Sequence, residues 1–86
     1  MYNIKEIAKL IKGEIKGNDN LSFLRLSPFF HATEDEITFA ADEKMLKNID
    51  KCNAGAIIVP LIEGLPVDRT YITVSSNPRE LMPILL

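Results

Sequence analysis

Residues 36–60, EITFAADEKMLKNIDKCNAGAIIVP, read in succession as a strand, a helix and a second strand. Ile37 to Ala40 is rich in β-branched and aromatic side chains, which suit an extended chain. From Glu43 to Cys52 the residues Met45, Leu46, Ile49 and Cys52 recur at helical spacing, leaving Lys44, Lys47, Asn48, Asp50 and Lys51 for a wet face. Ala56 to Val59 is a continuous apolar run of the kind that is covered on both faces, and Pro60, which has no N–H to donate to a ladder, closes it. Two strands joined through a helix by short connections form a βαβ crossover, since parallel neighbours cannot be joined by a tight hairpin. The resulting fold class is α/β, with a small mixed sheet. The joint from Phe39 to Met45 places a strand end against a helix start, the corner at which open α/β sheets hold ligands.

Upstream, Asn3 is placed to cap a helix, with Glu6 three residues later completing a capping-box pattern. Ile4, Ile7, Ala8 and Ile11 share one face of that helix, and Gly13 supplies a left-handed stop. Glu14 to Lys16 reads as a short strand, Gly17-Asn18-Asp19-Asn20 as a turn, and Leu21 to Leu26 as a further strand ended by Ser27-Pro28. Phe29 and Phe30 are expected to anchor a loop in the core, and Glu34, Asp35 and Glu36 to form a solvated acidic connector. Downstream, residues 61–69 with Gly64 and Pro66 make a connection, and Thr70 to Ser75 a strand. Asn77, Pro78 and Glu80 together form a second helix start, with Pro83 expected to kink that helix. The closing run Leu81 to Leu86 is more apolar than a domain terminus usually is, so the chain is expected to be a fragment, or the leading domain, of a longer protein.

Composition narrows the function classes. Eighty-six residues build one small domain, and a formal net charge of -2 supplies no electrostatic footprint for nucleic acid or an anionic membrane. No signal-peptide core and no apolar run of membrane-crossing length is present, so the expectation is a cytoplasmic protein without a membrane span. The single Cys52 excludes an internal disulfide framework and falls on the buried stripe of the central helix, where it acts as a small apolar residue. His31 is the only histidine. No nucleophile with an orienting partner accompanies it and no second histidine offers a metal site, so neither catalytic nor metal-ligating residues are assigned, and no cofactor is called for.

Four stretches in order, IAKLIKGEIKG near the start, DEITFAADEKMLKNI in the middle, AGAIIVP, and SNPREL at the end, resemble the N-terminal domain of UDP-3-O-(3-hydroxyacyl)glucosamine N-acyltransferases, the LpxD family of lipid A biosynthesis in Gram-negative bacteria. Similar strand–helix–strand units occur in the UDP-binding first domain of the Mur ligases. The resemblance implies a uridine-binding domain over residues 1–86, followed beyond Leu86 by a left-handed parallel β-helix that performs acyl transfer, since nothing here reads as hexapeptide repeats. It implies UDP-3-O-acylglucosamine as ligand, acyl carrier protein as a partner of the missing domain, and a homotrimer for the full-length enzyme only. The family's catalytic histidine lies in that missing part and does not correspond to His31.

In the family the uracil sits between two aromatic rings, in a pattern of phenylalanine, asparagine three later and tyrosine three later still. The corresponding residues here are Phe39, Asp42 and Met45. An aromatic face suits a flat base, and a stack on one ring contributes about 1–3 kcal/mol. Met45 offers a looser, polarizable partner. An ionised Asp42 only accepts hydrogen bonds, so it matches the ring N–H of uracil and not its carbonyl oxygens. Each also has a structural role open to it: Phe39 as core, Asp42 as the N-cap of the helix from Glu43, Met45 on its buried stripe. Three functions therefore stand side by side, namely UDP-sugar recognition for an N-acyltransferase, the same for a Mur-type ligase, and a structural domain that has lost uridine binding.

Overall fold

The computed structural model describes residues 2–62 and 64–75, so the helix expected from Asn77 lies outside the described residues. Strand β1 (Tyr2–Asn3) runs directly into helix α1 (Ile4–Ile11), where the Asn3 side chain accepts from the Lys5 N–H at 2.8 Å. Strands β2 (Glu14–Lys16), β3 (Ser22–Phe23), β4 (Arg25–Leu26) and β5 (Glu36–Phe39) come next, then helix α2 (Glu43–Lys47) with a 3₁₀ turn at Ile49–Lys51, and finally strands β6 (Ala56–Pro60) and β7 (Tyr71–Val74). β1 and β3 pair antiparallel as a small separate ribbon. The other five form one sheet in the order β2-β7-β6-β5-β4, parallel throughout except for the antiparallel edge strand β2. The α/β class, the mixed sheet and the βαβ crossover from β5 through α2 to β6 are thus all present.

Side-chain alternation divides the core into two layers. Ile37, Ala56, Ile58, Ile72 and Val74 face α1, meeting Ile4, Ile7, Ala8 and Ile11 with Phe23. Ile57, Val59 and Tyr71 point the other way, onto Ile49, Cys52 and Ala54 of the crossover, with Phe29, Ala32 and Ala40. Ile57, Ile58, Val59 and Ile72 have no exposed surface, and burying side chains of this size contributes about 1.5–3 kcal/mol each. Thr38 is the one fully buried polar side chain among the described residues, and its hydroxyl donates to the Ser27 carbonyl at 2.7 Å. A fork from Arg69 reaches the crossover as well, donating to the carbonyls of Ile49 and Ala54 at 2.9 Å each.

Five local expectations are corrected. The central helix stops at Lys47, because the Asn48 side-chain amide donates to the Lys44 carbonyl at 2.7 Å while its backbone N–H takes Met45, three residues back. A side chain that occupies a helical carbonyl competes with the backbone ladder, and the chain tightens into the 3₁₀ turn. The strand expected over Leu21 to Leu26 is split: Ser22–Phe23 belongs to the ribbon, Arg25–Leu26 to the main sheet, and exposed Leu24 between them donates its N–H to Asp35. Lys12, not Gly13, takes the left-handed conformation that ends α1 (φ 57°, ψ 40°). Gly13 is required for another reason, since a Cβ there would collide with the buried Ile72 side chain and lie 3.1 Å from the Thr73 carbonyl. Of the two phenylalanines, Phe29 is core but Phe30 is 51% exposed.

Glu36 is the fifth. It is buried, not solvated: Oε1 accepts from the Thr33 N–H at 2.8 Å and the Thr33 hydroxyl at 3.3 Å, and Arg25 Nε stands 3.3 Å from Oε2. The bond from the Thr33 backbone, then that from Ser27, hold its carboxyl below the usual value of 4.5 against the opposing effect of burial. A carboxyl lowered on folding stabilises the native state above its unfolded value, and that contribution disappears as pH falls through the folded one. The advantage of the native chain over Glu36→Gln, read as the urea midpoint, is therefore expected to hold at neutral pH and to shrink below pH 4.5. Gly13→Ala is expected to cost about 1–3 kcal/mol by overpacking, measurable in the same titration.

Candidate functional site

β4, β5 and β6 run parallel, so their carboxyl ends and the chain just beyond them, residues 27–35, 40–42 and 61–62, emerge at one end of the sheet. That end contains the corner singled out by sequence. The ladder extends one residue past β5, with the buried Ala40 donating its N–H to the Ile58 carbonyl at 2.9 Å. Half-buried Ala41 then leads to Asp42, whose extended backbone (φ −117°, ψ 169°) turns the chain into α2.

The three candidate residues sit on this corner in different roles. Phe39, the last residue of β5, is half-buried and leans on the core layer beneath α1. Asp42 is exposed and caps α2: its Oδ1 accepts from the Met45 N–H at 2.9 Å, while its carbonyl accepts from Leu46 at 3.0 Å. Met45 is half-buried and packs on the opposite layer, with Leu46 beside it. The phenyl ring and the thioether thus flank the end of β5 from its two faces, with the carboxylate on the solvent side between them in sequence. Such a corner can offer a flat apolar face and one acceptor. Among the described residues no three His, Cys, Asp or Glu side chains gather to hold a metal ion, and His31 is exposed, its backbone N–H donating to the Pro28 carbonyl at 3.0 Å.

A ring that the sequence reading assigned to the core lies exposed in the loop after β4. Phe30, half-exposed, stands edge-on to buried Phe29, with ring centroids 4.9 Å apart and planes at 84°. A Phe-Phe pair signals burial of at least one ring, and only the turn after Pro28 decides which. A cavity of about 350 Å³ opens elsewhere, against β2 and β7 under the 61–70 connection, lined by Lys16, Ile62, Leu65, Pro66, Arg69 and Tyr71. Its polar groups are largely committed: the Tyr71 hydroxyl donates to the Pro66 carbonyl at 2.7 Å, and burial raises its pKa. Two N–H groups of Arg69 are taken by the crossover carbonyls.

The comparisons with known proteins bear on the same segment. A family model described as UDP-3-O-(3-hydroxymyristoyl) glucosamine N-acyltransferase, LpxD, matches residues 18–86. The chain belongs to the LpxD family. A UDP-3-O-acylglucosamine N-acyltransferase of Fusobacterium nucleatum is 46% identical over 90 residues, covering 99% of this chain and 26% of that protein. Enzymes of the same name from Psychromonas ingrahamii (35% over 60 residues, 70% of this chain and 18% of the relative) and Sulfurimonas denitrificans (number 1 of its kind; 40% over 57 residues, 66% and 18%) are also similar. The chain thus spans about a quarter or less of the LpxD relatives it matches. No described helix is long and apolar enough to cross a membrane.

The capping role of Asp42 can be isolated within this LpxD segment. Asp42→Ala is expected to destabilise the chain by about 1 kcal/mol and Asp42→Asn by far less, because asparagine caps comparably well. Equilibrium unfolding of the two variants, with circular dichroism following the helix, checks the difference.

Proposed function

We propose that these residues recognise the uridine end of UDP-3-O-acylglucosamine for an N-acyltransferase of lipid A biosynthesis, and that they carry no catalytic group themselves. The observation that supports this best is the position of Phe39: a half-buried ring at the carboxyl end of a parallel strand, at the corner where α/β sheets hold nucleotides, in a chain of the LpxD family. The ring supplies a stacking face and Asp42 an acceptor for the base N–H. Residues 1–86 then act as one recognition domain. Acyl transfer belongs to a separate left-handed β-helix domain, where the glucosamine amine attacks the thioester of an acyl carrier protein, forming the amide and releasing the thiol. On this reading the whole enzyme is a cytoplasmic homotrimer.

A second reading has its own support. The Asp42 carboxylate is engaged by the Met45 N–H, and Met45 packs on the core, so the corner also fits a domain that keeps the architecture and has lost the base. Ligand titration separates the two. Adding UDP-N-acetylglucosamine while following amide chemical shifts should move residues 39–45 in a saturable way, and unmoved resonances there at millimolar ligand would sink the uridine reading. Asn at position 42 keeps the cap and gains an N–H donor for a uracil carbonyl, so Asp42→Asn is expected to tighten binding about threefold to tenfold, the worth of one net hydrogen bond.

A further inference from the structure

On the crossover face of the sheet, Ile57, Val59 and Tyr71 are covered by Ile49, Cys52 and Ala54. Thr73, two residues beyond Tyr71, and Lys16, paired with Tyr71 across the β2–β7 ladder, point to the same face. Over this strip runs the 61–70 connection, held by two struts: Leu65 packs on the crossover layer, and the Pro66 carbonyl accepts from the Tyr71 hydroxyl at 2.7 Å. The space left between connection and ladder is the cavity of about 350 Å³, within the range of about 300–1,000 Å³ at which proteins hold small ligands. Its roof is apolar, with Leu65 and Pro66 inside and Ile62 and the fully exposed Val67 forming a lip in contact with water. Its charges are of one sign. Lys16 and Arg69 line it, and among the described residues no Asp or Glu does, although the chain as a whole carries more acidic residues than basic ones. Arg69 spends two N–H groups on carbonyls, which satisfy hydrogen bonds and leave its positive charge in place. Lys16 is paired with Glu14 at 3.1 Å, but both side chains are exposed, and an ion pair in that setting holds the ammonium weakly. Burial raises the pKa of the Tyr71 phenol, so it adds no negative charge.

We propose that this cavity is a second ligand site, built for a small amphiphilic anion whose apolar body lies under Leu65 and Val67 and whose single anionic group meets Lys16 and Arg69. It shares no lining residue with the corner at Phe39, Asp42 and Met45, and β6 separates β7 from β5 in the sheet, so the proposal stands whatever that corner binds. An apolar roof over a cationic floor selects both halves of such a ligand. A neutral chain leaves the two cations unanswered, and a bare anion leaves the roof and its lip in water.

The test titrates octanoate into the native chain while amide chemical shifts are followed, with octanol as the uncharged probe and acetate as the probe without a chain. Octanoate is expected to move residues 64–73 and Lys16 in a saturable way and to leave residues 39–45 in place, with octanol and acetate both binding more weakly. Two variants at exposed positions probe the two halves without touching the core. Lys16→Met keeps an apolar stem and removes the charge, and is expected to weaken octanoate about twofold to fivefold, the worth of one exposed ion pair, with octanol unaffected. Val67→Asp sets a carboxylate on the lip and is expected to weaken octanoate at least as much. Urea midpoints equal to that of the native chain establish that both variants are folded. Octanol binding as tightly as octanoate, either variant binding octanoate as the native chain does, shifts centred on residues 39–45, or no saturable shift at all would each overturn the inference.

Discussion

Because Ile57, Ile58 and Val59 are all fully withdrawn from water, β6 needs a layer on each of its faces, and successive side chains must find different ones. Ile58 reaches α1, while Ile57 and Val59 reach the crossover. The flanking strands repeat the division, Ile37 with Ile72 and Val74 on one side and Tyr71 on the other, so a slip of one residue in any register would exchange the two layers outright. The crossover is thus half of the core as well as a connection. Arg69 reinforces it by donating to the Ala54 carbonyl and to the Ile49 carbonyl, which also accepts from the Cys52 N–H that closes the 3₁₀ turn.

The parts of this arrangement that were legible in sequence are those written in periodicity. The stripe Met45, Leu46, Ile49 and Cys52 faces one core layer even though the helix changes type midway, since a tightened turn shifts side chains by little over four residues. Gly and Pro punctuation placed β2 and β6, and β-branched and aromatic content placed β7, each to within a residue. What escaped was set by contacts made across the chain. Tyr2–Asn3 is too short to announce a strand, and it exists because Phe23 brings its partner strand under α1. Glu36 sits in an acidic run that reads as surface, yet Thr33 and Ser27 fold back over it. Nothing in a one-dimensional pattern distinguishes a carboxylate beside its own donors from one facing water.

The corner itself was legible in sequence, and the arrangement of its side chains was not. A strand end meeting a helix start marked the corner, and Phe39, Asp42 and Met45 all lie on it. Their division between two faces could not be read from spacing, because β5 ends between them and resets the direction in which side chains point. The same uncertainty hid Phe30, whose exposure depends on a turn closed by the Pro28 carbonyl. The chain belongs to the LpxD family, and the local geometry shows that the Asp42 and Met45 side chains are engaged in holding the fold.

The margins of the sheet carry a consequence of a different kind. One edge strand, β2, is three residues long with Glu14 and Lys16 paired at 3.1 Å along it; the other, β4, is two residues long and exposes Arg25. A foreign strand seeking to extend the sheet meets few free backbone groups at either margin, and meets charge at both. The parallel centre, apolar on both faces and prone to self-association if laid bare, is thereby enclosed laterally by two short, charged strands, a margin that disfavours growth of the sheet into aggregates.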